Sequence, residues 1–316
     1  MTHPVISALL PVVLLIGLGM GAARVGWVSA GAIQDLSKLV FMVLTPALLF
    51  RTMSTVHLEQ LDFRPVALYF VAALLLFFTV TWLRGRDPRA AVLGLACAFS
   101  NTVMIGIPLV GLAYGQAGLV TLFTLISVHA LILLTVATVV LELLAAHAAR
   151  RSNPQAPATM ARTVWEALRN GVIHPVPLPI LLGLAFAQTG WQLPDVVARP
   201  LQYLGQAFGP MALLLVGATL MQVRIGHHWR DALGIALLKN MALPVLVAGV
   251  GLALGLQGLH LKVMVVAAAL PMGANVFLFA QRYAVAQDVV TASLAVSTAL
   301  GLVSLTGVML VVQAVL

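Results

Sequence analysis

Residues 100–109 read SNTVMIGIPL and residues 270–279 read LPMGANVFLF. Each stretch lies inside a long apolar run, at about 90–113 and 260–282. A proline inside a helix removes a backbone donor and its ring clashes with the preceding turn. In lipid, backbone freed in this way survives only against protein or a water-filled cavity. Gly/Pro interruptions in corresponding runs of two chain halves are the sequence pointer to a solute site near the bilayer midplane. A half-helix that starts at such a break presents free N–H groups and the positive end of its dipole. That setting suits a carboxylate without a buried arginine. Asn101 and Asn275 each add an amide donor and acceptor. The plainer reading is two ordinary proline kinks whose asparagines satisfy stray backbone groups.

The rest of the chain supplies the membrane setting. Of its 316 residues 61% are hydrophobic and only 8% charged, and the mean hydropathy is +1.06. A soluble domain is roughly half apolar and a quarter charged. This composition excludes a soluble enzyme, a nucleic-acid binder and an anchored soluble domain. Apolar runs fall at about 5–23, 30–50, 65–83, 90–113, 117–147, 170–188, 196–222, 231–254, 260–282 and 288–315. They approach or exceed the roughly 20 residues that cross a bilayer as a helix and lack the alternation of barrel strands. The expected fold is therefore an all-α integral membrane protein of ten helices. Met1 to Pro4 contains no Lys or Arg, so the first run reads as a span rather than a signal peptide. The single cysteine, Cys97, reads as a small buried apolar residue.

The net charge of +8 follows a sided pattern. With the N-terminus outside, 11 of the 17 Lys and Arg fall in inner connections and four in outer ones. This is the positive-inside bias, and it places both termini on the non-cytoplasmic side. The longest connection, 148–169, divides the chain into five-helix halves, 1–147 and 170–316. The halves match at an offset of 163–164: Gly26-Trp27 with Gly190-Trp191, Pro11 with Pro175, Gly19 with Gly183, Pro46 with Pro210, and Pro108 with Pro271. Five is odd, so the second half enters from the opposite face, and the expected arrangement is an inverted 5+5 repeat.

SNTVMIGIPLVGLAYG, AALPMGANVFLFAQRYAV and LVFMVLTPALLF resemble the corresponding segments of the auxin efflux carrier family, which includes plant PIN-type carriers and bacterial permeases for malonate or malate. The resemblance covers nearly the whole chain. It implies a scaffold domain and a transport domain, with the fourth and ninth helices crossing at prolines. Carried over by motif, Asn101 is the family's asparagine and Pro108 and Pro271 are the crossing prolines. The substrate carboxylate would then lie near Asn101, Thr102, Gly106, Ile107, Pro108, Pro271, Gly273, Ala274 and Asn275. The chain lacks the long hydrophilic central loop of the plant members and reads MGANVF after Pro271, so the substrate need not be auxin.

Other residues bear on a path or a coupling ion. Lys38 and Lys239 are the basic residues inside runs, and an intramembrane charge is a functional candidate. Lys38 has Asp35 one turn earlier, which accounts for it as a local pair. Lys239 has no such partner and is a candidate counter-charge for an anion. His129 is either a proton-coupling group or a hydrogen-bonded neutral histidine. Ser100, Ser297 and Thr298, with Ser293 and Ser304, either line a polar path or bond helix backbone. Glu142 and His147 fall near the cytoplasmic end of the fifth run. Gly17-x-x-x-Gly21, Gly111-x-x-x-Gly115 and Gly251-x-x-x-Gly255 permit close helix contact.

The leading expectation is a secondary transporter for a small organic anion in the cytoplasmic membrane of a bacterium. A passive channel or uniporter is the alternative. Its partners are the anion and the bilayer, with proton or sodium coupling and a homodimer left open. No nucleic acid, cofactor or metal is expected, and no enzymatic motif is present.

Overall fold

The computed structural model describes residues 4–57, 59, 61–152, 176–223 and 226–315. Apart from a two-residue bridge, regular structure among them is helical. Seven helices are long and apolar enough to cross a membrane, and three more are shorter and apolar. With the long helix from residue 102 divided at Gly115 and the short helix Asn275–Arg282 added, the segments in chain order are α1 (Pro4–Arg24), α2 (Ala30–Met53), α3 (Arg64–Leu83), α4 (Pro88–Ala98), α5 (102–114) and α6 (116–152). There follow α7 (Pro177–Gln188), α8 (Asp195–Leu220), α9 (Gly226–Ala253), α10 (Gly258–Ala269), α11 (Asn275–Arg282) and α12 (Gln287–Val315). α5 and α6 meet at Gly115, whose φ of 60° and ψ of −153° break the helix. Of the expected connection at 148–169, residues 153–169 lie outside the described residues, as does the start of the sixth run.

Local chemistry sets the helix ends. Ser29 Oγ accepts from Ala32 N at 3.2 Å, and Asp87 Oδ1 accepts from Ala90 N at 2.6 Å ahead of Pro88. Both are N-caps satisfying donors that the first turn leaves free. α1 and α7 run into matching left-handed turns, Gly26 at φ 83° and Gly190 at φ 69°. The Gly26 and Gly190 amides each bond the carbonyl three residues back, Ala23 and Ala187, at 3.2 Å.

Three prolines reshape helices without ending them. The π-turns Val40–Leu44, Thr102–Gly106 and Leu238–Ala242 each end two residues before Pro46, Pro108 or Pro244. Proline lacks an N–H and crowds the carbonyl four residues back. Widening the preceding turn by one residue lets the amides before it bond five residues back, as Thr45 N does to Val40 O and Leu243 N to Leu238 O.

α1 and α8 pack backbone to backbone. A Cβ on Gly19 would fall 2.0 Å from Leu214 O, and one on Gly217 would fall 1.9 Å from Ile16 O. α7 and α2 meet in the same way, with Gly183 facing Phe50 O at 2.7 Å. This corrects the expected glycine pairs. Gly17 and Gly21 face open space, Gly115 and Gly255 are turn residues with positive φ, and Gly111 touches only a side chain of the next helix. Of those pairs only Gly251 makes a tight contact, against Leu261 of α10 at 2.5 Å.

Polar contacts tie helix ends together at two faces. At one, Arg84 Nη1 lies 3.4 Å from Asp231 Oδ1, joining the α3–α4 turn to the start of α9. At the other, Arg64 Nη2 donates to Leu254 O at 2.6 Å, joining the start of α3 to the end of α9. Lys38 pairs with Asp35 at 3.6 Å with both side chains exposed, as a local pair.

Candidate functional site

The two interrupted spans, α4–α5 and α10–α11, cross where neither is helical. Phe99 is extended, at φ −91° and ψ 113°, and Leu270 sits at φ −58° and ψ 148°. The Asn101 amide donates to Pro271 O at 2.8 Å, and the Gly273 amide donates to Phe99 O at 3.0 Å. Ser100 and Met272 thereby form an antiparallel bridge. Gly273 is required by this approach, since a Cβ there would fall 2.7 Å from the Phe99 ring and 3.1 Å from Ser100 O.

The crossing corrects the expected pairing of prolines. Pro271 is in the bridge, but its partner there is Asn101. Pro108 lies further along α5, buried after the π-turn, where its Cβ is the nearest neighbour of Gly209 on α8. The two spans cross at residues 99–101 and 271–273, with Ser100 paired to Met272.

Buried side chains brace the crossing from both sides. Ser297 Oγ accepts from the Met272 amide at 2.9 Å and donates to Asn240 Oδ1 at 2.7 Å, while Asn240 Nδ2 donates to Ser297 O at 2.7 Å. Across the bridge, the Tyr69 hydroxyl lies 2.9 Å from Ser100 Oγ and 3.4 Å from His129 Nε2. The His129 ring rests on Phe99, with centroids 4.6 Å apart. Tyr69 and Asn240 are absent from the sequence-based site. A polar residue beside Lys239 inside an apolar run was a usable signal, whereas one more aromatic in such a run carried none.

A cavity of about 270 Å³ opens on the crossing. Asn101, Thr102, Val103 and Met104 line it from the start of α5, and Gly273, Ala274 and Asn275 from the start of α11. Ser37, Thr219 and Thr298 add hydroxyls, and His129 is the one titratable side chain among the described residues that line it. Asn101 Oδ1 accepts from Met104 N at 3.2 Å as an N-cap, which leaves its Nδ2 as a donor. Several first-turn amides are already bound, Thr102 N to Ser100 O, Met104 N to Asn101 Oδ1, Val276 N to Gly273 O and Phe277 N to Ala274 O, and the helix dipoles remain aimed at the cavity. Two positive helix ends therefore meet at one neutral cavity.

Of the residues expected at the site, Ser100, Asn101, Thr102, His129, Gly273, Ala274, Asn275 and Thr298 line this cavity. Pro271 and Ser297 lie behind it in the bridge and its brace. Gly106, Ile107 and Pro108 are buried along α5 and do not line it. Lys239 does not line it either. It is fully buried, and its Nζ donates to Ala268 O at 2.7 Å and Leu270 O at 2.6 Å. A second basin, of about 690 Å³, lies at the opposite face between Arg51, Thr52, Thr55, His57, Gln116 and Trp191, and shares no lining residue with the first.

These features define an integral, multi-pass membrane protein with a solute-sized cavity at broken helices. The chain belongs to the membrane transport protein family, whose model matches residues 4–309. This is the auxin efflux carrier family that its motifs resemble, and it is a family of transporters, not enzymes. A Rhizobium meliloti (strain 1021) protein named "Putative malonate transporter" is 28% identical over 314 residues, covering 96% of this chain and 94% of that protein. An uncharacterized transporter of Methanothermobacter thermautotrophicus is 26% identical over 95% of both chains. Auxin efflux carrier component 8 of Arabidopsis thaliana is 23% identical over 92% of both.

Proposed function

We propose that this chain is a secondary transporter that carries a small organic anion, a mono- or dicarboxylate, by alternating access. The observation that carries this reading is the convergence of two half-helix N-termini on one cavity whose described lining contains no carboxylate. Broken helices aimed at anionic groups are the recurring device of such carriers. Malonate and auxin, named for two relatives, are both carboxylic acids. A cavity of about 270 Å³ sits just below the range of drug-sized ligand pockets, about 300–1,000 Å³, and suits a small solute.

The ten-span reading counts α4–α5 and α10–α11 as single broken spans. Support for two inverted halves, 1–147 and 170–316, comes from packing. Gly19 meets Leu214 O, and Gly183 meets Phe50 O. Both members of the first contact are displaced from their counterparts in the second by 164 residues. The separate linings of cavity and basin favour a carrier closed at one face over an open pore. With the Arg-rich face cytoplasmic, the cavity opens inward and both termini face out, in the cytoplasmic membrane of a bacterium.

The test is thermal stabilisation of the purified protein by malonate, malate, indole acetate and related acids, with Asn101→Ala alongside. A ligand that binds only the folded state raises its apparent stability. A saturable shift for one acid that weakens in the variant, with counterflow of that acid in proteoliposomes, is expected. An unchanged shift in Asn101→Ala moves the site elsewhere. Flux that neither saturates nor shows counterflow replaces the carrier with a channel.

A further inference from the structure

Lys239 is a buried cation that neither the cavity nor a carboxylate explains. Its Nζ reaches two carbonyls of the last turn of α10, at 2.7 and 2.6 Å. Asp231, the nearest acidic residue in sequence, is paired with Arg84 instead. The π-turn that carries Lys239 also packs against α4, whose C-terminal end stops at the same crossing. Helix C-termini carry partial negative charge. The ammonium therefore sits among carbonyl ends.

The break in the helix is what frees these oxygens. In an unbroken helix Ala268 O would accept from the amide of Met272, four residues on. That amide is bound by Ser297 Oγ. Leu270 is extended and ends the helix, so its carbonyl is free as well. Unwound carbonyls and half-helix C-terminal ends are where carriers built on broken helices hold a coupling sodium ion.

We propose that the Lys239 ammonium is this carrier's built-in monovalent cation, occupying a carbonyl site that would otherwise take a dissolved one. The crossing then needs no sodium at this position. Lys239 is a positioning residue, acting through the α10 carbonyls rather than on the cargo. Its meaning rests on the transporter reading. Its test does not, because cation binding is read without any cargo.

The experiment compares the melting of purified wild type, Lys239→Ala and Lys239→Ser in choline chloride with melting in lithium, sodium, potassium and methylammonium chloride at equal ionic strength. Wild type is expected to melt alike in all five. The variants are expected to melt lower in choline and to recover saturably with at least one small cation. A merely structural lysine would give variants equally weakened in every salt, and that result overturns the proposal. So does a wild type stabilised by sodium as much as the variants are, and so does failure of both variants to fold in any of the cations. If an acid has been found to exchange, its transport by Lys239→Ala is expected to be lost in choline and restored by the cation that restores melting.

Discussion

Gly19→Ala adds one methyl group where α1 and α8 touch through their backbones. The new Cβ falls 2.0 Å from Leu214 O and 2.9 Å from Leu214 Cα, whereas ordinary contact begins at 3.4 Å. A backbone carbonyl cannot rotate aside as a side chain can, so the helices must part by about 1.4 Å at this level. A gap of 0.5–1 Å already forfeits a quarter to a half of each dispersion contact. The seam includes the buried Val12, Ile16, Ala212 and Leu213. Overpacking of this kind costs about 1–3 kcal/mol, and the backbone clash places Gly19→Ala near the top, at about 3 kcal/mol. Gly17→Ala and Gly21→Ala are the controls. They add the same methyl group where nothing lies within 4 Å, and replacing glycine in a helix interior is worth about 1 kcal/mol in favour of alanine. Gly19 lies in the same helix and shares that gain, so substitutions two residues apart should differ by the clash alone, about 3 kcal/mol. Equilibrium unfolding in mixed detergent micelles, followed by helical circular dichroism, measures this. A Gly19→Ala stability within about 0.5 kcal/mol of Gly17→Ala, the usual scatter of a neutral surface change, would refute the backbone-contact reasoning.

Other outcomes follow from the same geometry. Gly183→Ala, facing Phe50 O at 2.7 Å, should destabilise in the same assay but less than Gly19→Ala. Ser297→Ala strips partners from the Met272 amide and Asn240 Oδ1. At about 1–3 kcal/mol for each buried group left unpaired, it should cost about 2–6 kcal/mol, with Ser297→Thr recovering part of the loss. Tyr69→Phe removes the hydroxyl 2.9 Å from Ser100 Oγ and should cost about 1 kcal/mol, with the affinity for a stabilising acid changed less than threefold in calorimetric titration. Arg84→Glu should cost about 0.2–1 kcal/mol, because the pair with Asp231 is 42% and 45% exposed. The loss should fade at high salt and be recovered by Asp231→Arg.

The all-helical membrane class is legible in composition and run length. The break after Leu270 is legible because Pro271 and Gly273 are conspicuous inside an apolar run, whereas the break at Phe99 contains no proline or glycine and is marked only by Ser100 and Asn101. The pairing at the crossing is not legible, because the 163-residue offset matches Pro108 to Pro271 while the backbone joins Pro271 to Asn101. Gly17, Gly19 and Gly21 are equivalent on paper, and only the position of α8 singles out Gly19. Lys239 is conspicuous as a charge, but a sequence does not distinguish an ammonium facing cargo from one facing carbonyls. Eight of the expected site residues line one cavity, since motif spacing places neighbours in a chain correctly. Tyr69 and Asn240, contributed by other helices, carry no motif of their own.

The clasp between the two broken spans consists of two amide-to-carbonyl bonds. Such a joint is indifferent to which side chains flank it, provided that small residues such as Gly273 and Gly301 leave room. The backbone joint and the side chains that line the cavity are thereby uncoupled in inheritance. Side chains at 101–104 and 274–275 can change while the backbone joint beside them keeps its geometry. A lineage built this way can change its diet without reinventing its machinery.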